Sequence, residues 1–421
     1  MTLKGMDRRR FLQVTGATAG LLATGPLLGE AAVRAGSRAS LKVGVLSATG
    51  GSYPNMSASF QAGVALRFAR ARESSPALTA SLSARAIRGG HQGVYAASTA
   101  LLRASVDVVI ADVSAPIAAA VAPLFADAGV PLVVANVGGH VVRPHDRSAV
   151  VVHSSLMLWS ASYALGTWAA AHVGKRAFAL VSFADAGYDS LFAFRRGFET
   201  AGGTLAGTAV THRRPRQSGL AGAFGEVSAS HPDFVFAHYA GSQAVDFLHA
   251  YASKGLHGHL PLLGSTFLVE DDVLPQVGRA AIGAYTAASW TSALTTTTNT
   301  AFAAAYRAAT GRAPDPFAAL GYDAAGLVVQ GAQLAGARGQ SARKLIGALA
   351  GATIAGVRGP LHLDAATNAI VGPLVIRQVQ GSVHPANHVV ATAPALGSFP
   401  AGLSSMETHP ASGYYNEYLC A

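Results

Sequence analysis

The sequence is poor in cysteine and in charge. Cys420 is the only cysteine among 421 residues, so the chain has neither a disulfide framework nor a CxxC motif. Charged residues make up 12% of the chain, whereas half of it is apolar, a composition that can bury sizeable cores. The motifs GxSxG, HExxH, GxxxxGKS/T and GxGxxG are also missing, which argues against the enzyme and nucleotide-binding classes that they identify.

No apolar stretch reaches the roughly 20 residues that a membrane-spanning helix requires. The first 35 residues instead have the pattern of an export signal. An RRxFLQ run starts at Arg8, a mildly apolar segment covers residues 14–29, and a Val-Arg-Ala cleavage pattern ends at Ala35. We expect a twin-arginine signal peptide over residues 1–35, recognised by the twin-arginine translocase and cleaved by signal peptidase near Ala35. No cysteine lies at the cleavage site to carry a lipid, so a periplasmic protein without a lipid anchor is expected.

The net charge of +10 falls to about +7 when residues 1–35 are left out. The densest basic group is Arg213, Arg214 and Arg216, and aromatic residues do not alternate with it as they do where bases stack. The pattern therefore predicts no nucleic-acid partner.

The remaining chain of about 385 residues exceeds the size at which one hydrophobic core stops growing, which predicts two lobes. Along it, short apolar runs alternate with longer segments whose apolar residues recur every three or four positions, such as Phe60, Val64 and Phe68. This alternation is typical of βαβ units, in which helices cover a mainly parallel sheet.

Six predicted strands end in loops that carry glycine or hydroxyl residues. They cover residues 41–46, 107–110 and 131–135 in the first lobe and 177–182, 234–237 and 260–263 in the second. Open α/β sheets place their ligands at the carboxyl ends of the strands, so we expect loops from both lobes to meet one ligand.

Six segments carry a family resemblance. In chain order they are residues 41–46 (LKVGVL), 128–131 (AGVP), 186–189 (AGYD), 194–203 (FRRGFETAGG), 321–324 (GYDA) and 359–364 (GPLHLD). Together they resemble the periplasmic solute-binding proteins of the branched-chain amino-acid type, over about residues 41–388. The resemblance implies an α/β fold of two Rossmann-like, doubly wound lobes joined by three crossovers. It implies a non-enzymatic protein without cofactor or metal that closes over a small molecule and presents it to an inner-membrane ABC permease.

The same resemblance implies a division of the chain. The N-terminal lobe takes residues 36–153 and 286–353, and the C-terminal lobe takes residues 154–285 and 354–395. Residues 396–421 are rich in Gly, Ser and Pro and are expected to form a tail outside the family core.

The ligand contacts implied by the resemblance are Ser52, Tyr53, Ser114, Asn136 and Gly138 from the first lobe and Tyr188, Tyr239 and Thr266 from the second. Loops that turn directly into helices also present free backbone N–H groups to an anionic head. Structural alternatives stay open: Ser114 fits a helix N-cap, and Tyr188 fits a surface position. The place of Tyr239 could equally belong to His238 or Ala240.

Two departures from the amino-acid-binding pattern concern the ligand. Ser114-Ala115-Pro116 stands where the relatives have a run of small hydroxyl residues. Thr266 stands where they have an acid for the ligand's ammonium, and a buried ammonium without a partner is costly. Unless Asp185 or Glu270 compensates, a small organic acid, an amide or an aromatic compound suits the site as well as an amino acid does.

Two other functional classes remain open. The same fold could serve as a periplasmic sensor, and the twin-arginine route also exports enzymes. Ser341-Ala-Arg-Lys344 matches the SxxK pattern of penicillin-binding enzymes, but SDN and KTG do not accompany it, so we interpret Ser341 as a helix N-cap. His257 and His259 lie in a Gly-rich loop without a third ligand in spacing, and we expect no metal there.

Overall fold

The computed structural model describes residues 39–48, 55–76, 78–88, 90–144, 147–183, 185–212, 218–335, 341–394 and 396–397. The predicted signal segment, the basic group at Arg213, Arg214 and Arg216, and nearly all of the predicted tail with Cys420 lie outside them. Within the described residues the chain forms two sheets flanked by helices.

The strands divide between the two sheets. The first sheet contains β1 (Ala39–Ala48), β2 (Leu78–Ile87), β3 (Val108–Asp112), β4 (Leu132–Asn136), β5 (Val151–Ser155), β11 (Thr353–Gly356), β12 (Gly359–Asp364) and β13 (Ala369–Val371). The second contains β6 (Arg176–Ser182), β7 (Thr204–Thr211), β8 (Phe234–His238), β9 (Leu262–Gly264), β10 (Tyr285–Ala288), β14 (Leu374–Gln380) and β15 (Ala386–Ala393).

Helices connect most of these strands. In chain order they are α1 (Met56–Ser74), α2 (Gly90–Arg103), α3 (Ala115–Ala128), α4 (Leu158–His172), α5 (Asp185–Thr200), α6 (Leu220–Ser230), α7 (Gly241–Ser253), α8 (Leu274–Val277), α9 (Thr297–Thr310), α10 (Pro316–Ala335) and α11 (Ala342–Leu349). A short 3₁₀ helix, Thr266–Val269, follows β9.

Both sheets repeat one strand order. The parallel strands of the first sheet run β2-β1-β3-β4-β5, and those of the second run β7-β6-β8-β9-β10. This is a doubly wound order whose switch points lie between β1 and β3 and between β6 and β8. The predicted fold class, two doubly wound α/β lobes, is confirmed.

Helices cover both faces of each sheet. Alternate side chains of the central strands point to opposite sides and pack against different helices. In β4, Val133 packs with the residues of α1 and α10, whereas Val134 packs with those of α2 and α3. In β6, Leu180 faces the cluster of α6 and α7, whereas Val181 faces that of α4 and α5. The predicted helical stripe of Phe60, Val64 and Phe68 is buried as expected.

The chain crosses between the sheets three times: after β5, after β10 and after β13. The first two crossings touch, since the hydroxyl of Ser289 donates to the carbonyl of Leu156 at 2.7 Å. Both partners are buried, so this contact fixes how the two connecting segments lie against each other.

Strand pairing changes the predicted division of the chain. β11, β12 and β13 extend the first sheet, with Ala369 beside His153 of β5, whereas the resemblance implies that residues 354–395 belong to the second lobe. β10 pairs with β9, so the boundary at residue 286 moves to the end of β10. Local patterns show that a segment is a strand, but the sheet that it joins depends on pairing across the whole chain. We therefore define each lobe by its sheet.

Helices α4 and α5 pack with their backbones in close approach. A Cβ atom on Gly197 would overlap the carbonyl oxygen of Tyr163, and one on Gly166 would overlap that of Phe194. Because α4 follows the first crossing directly, this packing positions the second lobe against the crossing segment.

We expect Gly197→Ala to lower the free energy of unfolding by at least about 2 kcal/mol, since the added methyl meets rigid backbone. The control is Gly225→Ala in α6, where a Cβ atom meets nothing within 4 Å. There the better helix propensity of Ala should raise stability by up to about 1 kcal/mol. Urea unfolding measures both changes in stability. Equal effects at the two positions would contradict the close packing of α4 against α5.

Candidate functional site

A cavity of about 580 Å³ lies at the carboxyl edge of the first sheet. Its walls include the ends of β1, β3, β4 and β5, the start of α3 and the loop of residues 137–142 that follows β4. Strands β1 and β3 flank the switch point, where doubly wound sheets bind their ligands. The volume falls in the range of small-molecule sites, roughly 300–1,000 Å³.

The structure brings three of the predicted site residues to this cavity: Ser114, Asn136 and Gly138. Ser114 is exposed and occupies the N-cap position of α3, with extended φ of −66° and ψ of 157°. Its side chain makes no capping hydrogen bond, so the hydroxyl is not consumed by the helix. Pro116 has no N–H, so Ala115 and Ile117 supply the N–H groups of the first turn of α3 that have no partner within the helix. Ser114 can therefore offer its hydroxyl to a ligand.

Asn136 and Gly138 shape the wall of the cavity. The amide of Asn136 donates to the carbonyl of Val113 at 3.0 Å, and its oxygen accepts from the N–H of Gly138 at 2.8 Å. Asn136 thereby clamps the loop before α3 to the loop after β4. Gly138 has a φ of +73°, and a Cβ atom there would lie 2.6 Å from the hydroxyl of Ser155, so the loop requires glycine.

Tyr239 and Thr266 do not line this cavity. Tyr239 is fully buried in the second lobe, where its hydroxyl lies 2.9 Å from that of Thr211 and its ring stacks on Phe247 at 4.4 Å. The neighbouring Ala240 instead packs against the core of the first lobe. The hydroxyl of Thr266 donates to a backbone carbonyl at 2.6 Å. The ligand role of these two residues stays a prediction.

The other predicted contacts fall outside what the structure describes. Ser52 and Tyr53 precede α1 in an undescribed segment. The backbone of Tyr188 belongs to α5, but its side chain is not described. Their ligand roles stay predictions.

A contact between the lobes borders the cavity. Nδ1 of His140, in the loop after β4, lies 2.5 Å from a carboxylate oxygen of Asp189 in α5 of the second lobe. Next to it, Val141 packs against Trp159 and Phe192, which belong to α4 and α5. The sequence predicts that the loops after β4 and β6 lie near a ligand, but it does not predict the contact between His140 and Asp189.

Glu270 is held within the second lobe. A guanidinium N–H of Arg377 donates to its carboxylate at 2.5 Å, and the same nitrogen donates to the carbonyl of Thr266. Both charged side chains are buried. Burial raises the pKa of Glu270 to about 7, although the charge of Arg377 opposes the rise. Glu270 therefore forms an ion pair with Arg377 and is not free to bind the ammonium of a ligand.

Asp112 lines the cavity, and sequence reasoning missed it. It ends β3, is 9% exposed, and one of its carboxyl oxygens is buried without a hydrogen-bond partner among the described residues. Burial raises the pKa of this carboxyl to about 7. The available signal was an acidic residue directly after four apolar residues of one strand.

A second cavity of about 230 Å³ lies between the lobes. Met56 and Phe317 contribute from the first lobe, and Phe267 and Glu270 contribute from the second. The rings of Phe267 and Phe317 stack at 6.0 Å, so apolar contacts bridge the lobes beside this cavity.

The described part of the chain contains no helix with the length and hydrophobicity of a bilayer-spanning segment. Among those same residues, His, Cys, Asp and Glu side chains form no cluster of three that could hold a metal ion. His257 instead lies 3.0 Å from the carbonyl of Ile282. The interpretation of Ser341 as an N-cap is confirmed, since its hydroxyl accepts from the N–H of Lys344.

Comparison with protein-family models matches residues 40–383 to the model described as Periplasmic binding protein. Among proteins with curated descriptions, none matches the chain.

Several solved structures share the fold. An ABC transporter substrate-binding protein from Sphaerobacter thermophilus is 22% identical, with a TM-score of 0.77 over 84% of this chain and 98% of that one. Two solute-binding proteins of ABC transporters from Rhodopseudomonas palustris are each 25% identical over 85% of this chain and 98% of theirs. One, from strain BisB5, is in complex with 3,4-dihydroxybenzoic acid and has a TM-score of 0.73. The other is in complex with benzoate and has a TM-score of 0.71.

We expect Glu270→Gln to lower the free energy of unfolding by about 3–5 kcal/mol, because it leaves the buried charge of Arg377 without its partner. The affinity for ligand should stay nearly unchanged. Chemical unfolding and calorimetric titration measure the two effects, with the exposed neighbour Asp271→Asn as control. A loss of affinity without a loss of stability would instead make Glu270 a ligand contact.

The raised pKa of Asp112 predicts a pH effect on stability. The folded protein holds this proton up to about pH 7, whereas an unfolded Asp releases it near pH 3.8, so the wild type loses stability as the pH rises between these values. Asp112→Asn cannot titrate. Its stability advantage over the wild type should therefore grow by about 3 kcal/mol between pH 4.5 and pH 8.

Urea unfolding at the two pH values tests this, with Asp127→Asn at the exposed end of α3 as control. An advantage of Asp112→Asn that does not change with pH would contradict the burial of an unpartnered carboxyl.

Proposed function

The chain belongs to the periplasmic binding protein family, and from this premise we propose that it is the exported solute receptor of an ABC importer and captures a small aromatic carboxylic acid. The observation that carries the proposal is the cavity at the switch point of the first sheet, where the start of α3 meets apolar walls.

The start of α3 supplies what a carboxylate needs. Ser114 offers an uncommitted hydroxyl, and the first N–H groups of the helix carry the positive end of its dipole. Hydrogen bonds to an ionised group contribute about 1.5–3 kcal/mol each. Two or three of them, together with burial of a ring, can supply the roughly 8 kcal/mol of a micromolar complex.

The remaining wall suits a ring. Apolar side chains surround the cavity, among them Ile87, Val94, Ile117, Val141, Met157 and Ile370. Hydrophobic walls with a few placed polar groups are typical of small-molecule sites.

Glu270, the described acid that could compensate for Thr266, is engaged by Arg377 and is not free for the ammonium of an amino acid. This favours a ligand without an α-ammonium. The two Rhodopseudomonas palustris proteins, whose complexes contain benzoate and 3,4-dihydroxybenzoic acid, support the same chemical class for this chain.

The cellular route follows from the sequence. The RRxFLQ run directs the chain to the twin-arginine translocase, and signal peptidase cleaves it near Ala35. In the periplasm the closed, liganded form delivers its solute to an inner-membrane ABC permease.

Calorimetric titration and thermal shift with benzoate, 4-hydroxybenzoate and leucine test the ligand class. We expect at least one aromatic acid to bind with micromolar affinity and to raise the melting temperature by mass action, and leucine to bind far more weakly. Ser114→Ala should weaken binding of the aromatic acid about tenfold or more and leave the unliganded stability nearly unchanged.

The matched control is Ser341→Ala, because that serine does cap its helix. It should cost about 1 kcal/mol of stability and leave the affinity unchanged. Tighter binding of leucine than of either aromatic acid, or full affinity in Ser114→Ala, would contradict the proposal.

A further inference from the structure

Asp112 occupies the position of the first sheet where a ligand is expected. It is the last residue of β3 and pairs with Ser47 of β1 on one side and Ala135 of β4 on the other. The gap between β1 and β3 is the switch point. Two residues further on, Ser114 begins α3, so Asp112 and the proposed carboxylate subsite border the same cavity.

The fold does not use this carboxyl as it uses other buried acids. Asp323 accepts hydrogen bonds from Arg358 and from the N–H of Val357. The half-buried Asp315 likewise accepts from the hydroxyl of Ser59 and from a backbone N–H. By contrast, one oxygen of Asp112 is buried without a partner among the described residues. Leaving a buried carboxyl unpaired destabilises the folded chain, so its presence is better explained by a group that arrives with the ligand.

The polar lining of the cavity indicates which group that is. Apart from Asp112, its polar side chains are His91, Ser114, Asn136, His140, His153, Ser155 and Ser160. Asp112 is the single carboxyl among the described lining residues, and most of the others can donate hydrogen bonds. The cavity therefore combines several donors for an anionic head with one carboxyl whose unpartnered oxygen can accept a hydrogen bond.

The proposed ligand class decides which group can meet this acceptor. A simple aromatic acid has no ammonium, so the donor that it can offer to Asp112 is a hydroxyl on its ring.

We propose that Asp112 accepts a hydrogen bond from a ring hydroxyl of the ligand and thereby makes the site selective for hydroxylated aromatic acids over unsubstituted ones. This assignment rests on the proposed function, since it names a substituent of the same ligand class. Asp112 is then a specificity-determining residue, and Ser114 with the start of α3 binds the carboxylate.

The test compares benzoate with 4-hydroxybenzoate, which differ by one hydroxyl. Calorimetric titration of the wild type should give at least tenfold tighter binding of 4-hydroxybenzoate. In Asp112→Leu, which keeps the approximate size but removes the acceptor, the two affinities should agree within about twofold. Equal affinities in the wild type, or a preference that persists in Asp112→Leu, would overturn the proposal.

Leucine and a stability measurement separate this inference from the proposed function. If leucine binds and Asp112→Leu abolishes its binding, the acceptor serves an ammonium and the hydroxyl assignment is wrong. If the wild type binds none of the three compounds, the proposed ligand class fails. The role of Asp112 is then tested by unfolding of the unliganded protein. A higher stability of Asp112→Asn at pH 8 would support a carboxyl kept for a ligand, whereas a lower one would show a structural partner and overturn the inference.

Discussion

The buried pair of Arg358 and Asp323 holds together the region on which both the lobes and the cavity depend. Nε of Arg358 donates to the carboxylate of Asp323 at 2.8 Å, and both side chains are almost fully buried. Another guanidinium N–H of Arg358 donates to the carbonyl of Ser155, the last residue of β5. The pair thus joins α10, the turn between β11 and β12, and the start of the first crossing. Removing either partner would leave a buried charge that costs several kcal/mol.

This anchoring connects the fold with the binding site. The hydroxyl of Ser155 accepts from the N–H of Met157, and Gly138 packs directly against Ser155. The wall of the cavity and the first crossing are therefore parts of one rigid arrangement. The second lobe reaches it through His140 and Asp189 and through apolar contacts such as Phe267 on Phe317. A ligand can favour closure of the lobes only through its differential affinity for the closed state. Because residues of both lobes lie beside the cavity, a ligand there can have different affinities for the open and the closed state.

Much of the fold could be predicted because it depends on local periodicity. The spacing of Phe60, Val64 and Phe68 marks the buried face of α1, and the glycine and hydroxyl residues after apolar runs mark the strand ends. That β11 to β13 join the first sheet could not be predicted, because this depends on pairing between residues far apart in sequence. The same holds for Glu270 and Arg377, which are 107 positions apart. The ring of Tyr239 is buried in the core of the second lobe, whereas the neighbouring Ala240 packs against the core of the first lobe. In the sequence Asp112 is marked only by its place after four apolar residues, whereas the structure shows that it is buried with one oxygen unpartnered among the described residues.

The central claim is that two lobes close around one small molecule. It is tested most directly by the distance between spin labels on Ala119→Cys in the first lobe and Ser242→Cys in the second, in a Cys420→Ser background. Both sites are exposed near the starts of α3 and α7. We expect pulsed electron resonance to give a broad distance distribution without ligand and a shorter, narrower one with saturating 4-hydroxybenzoate. An unchanged distribution at saturation would contradict closure of the lobes on the ligand.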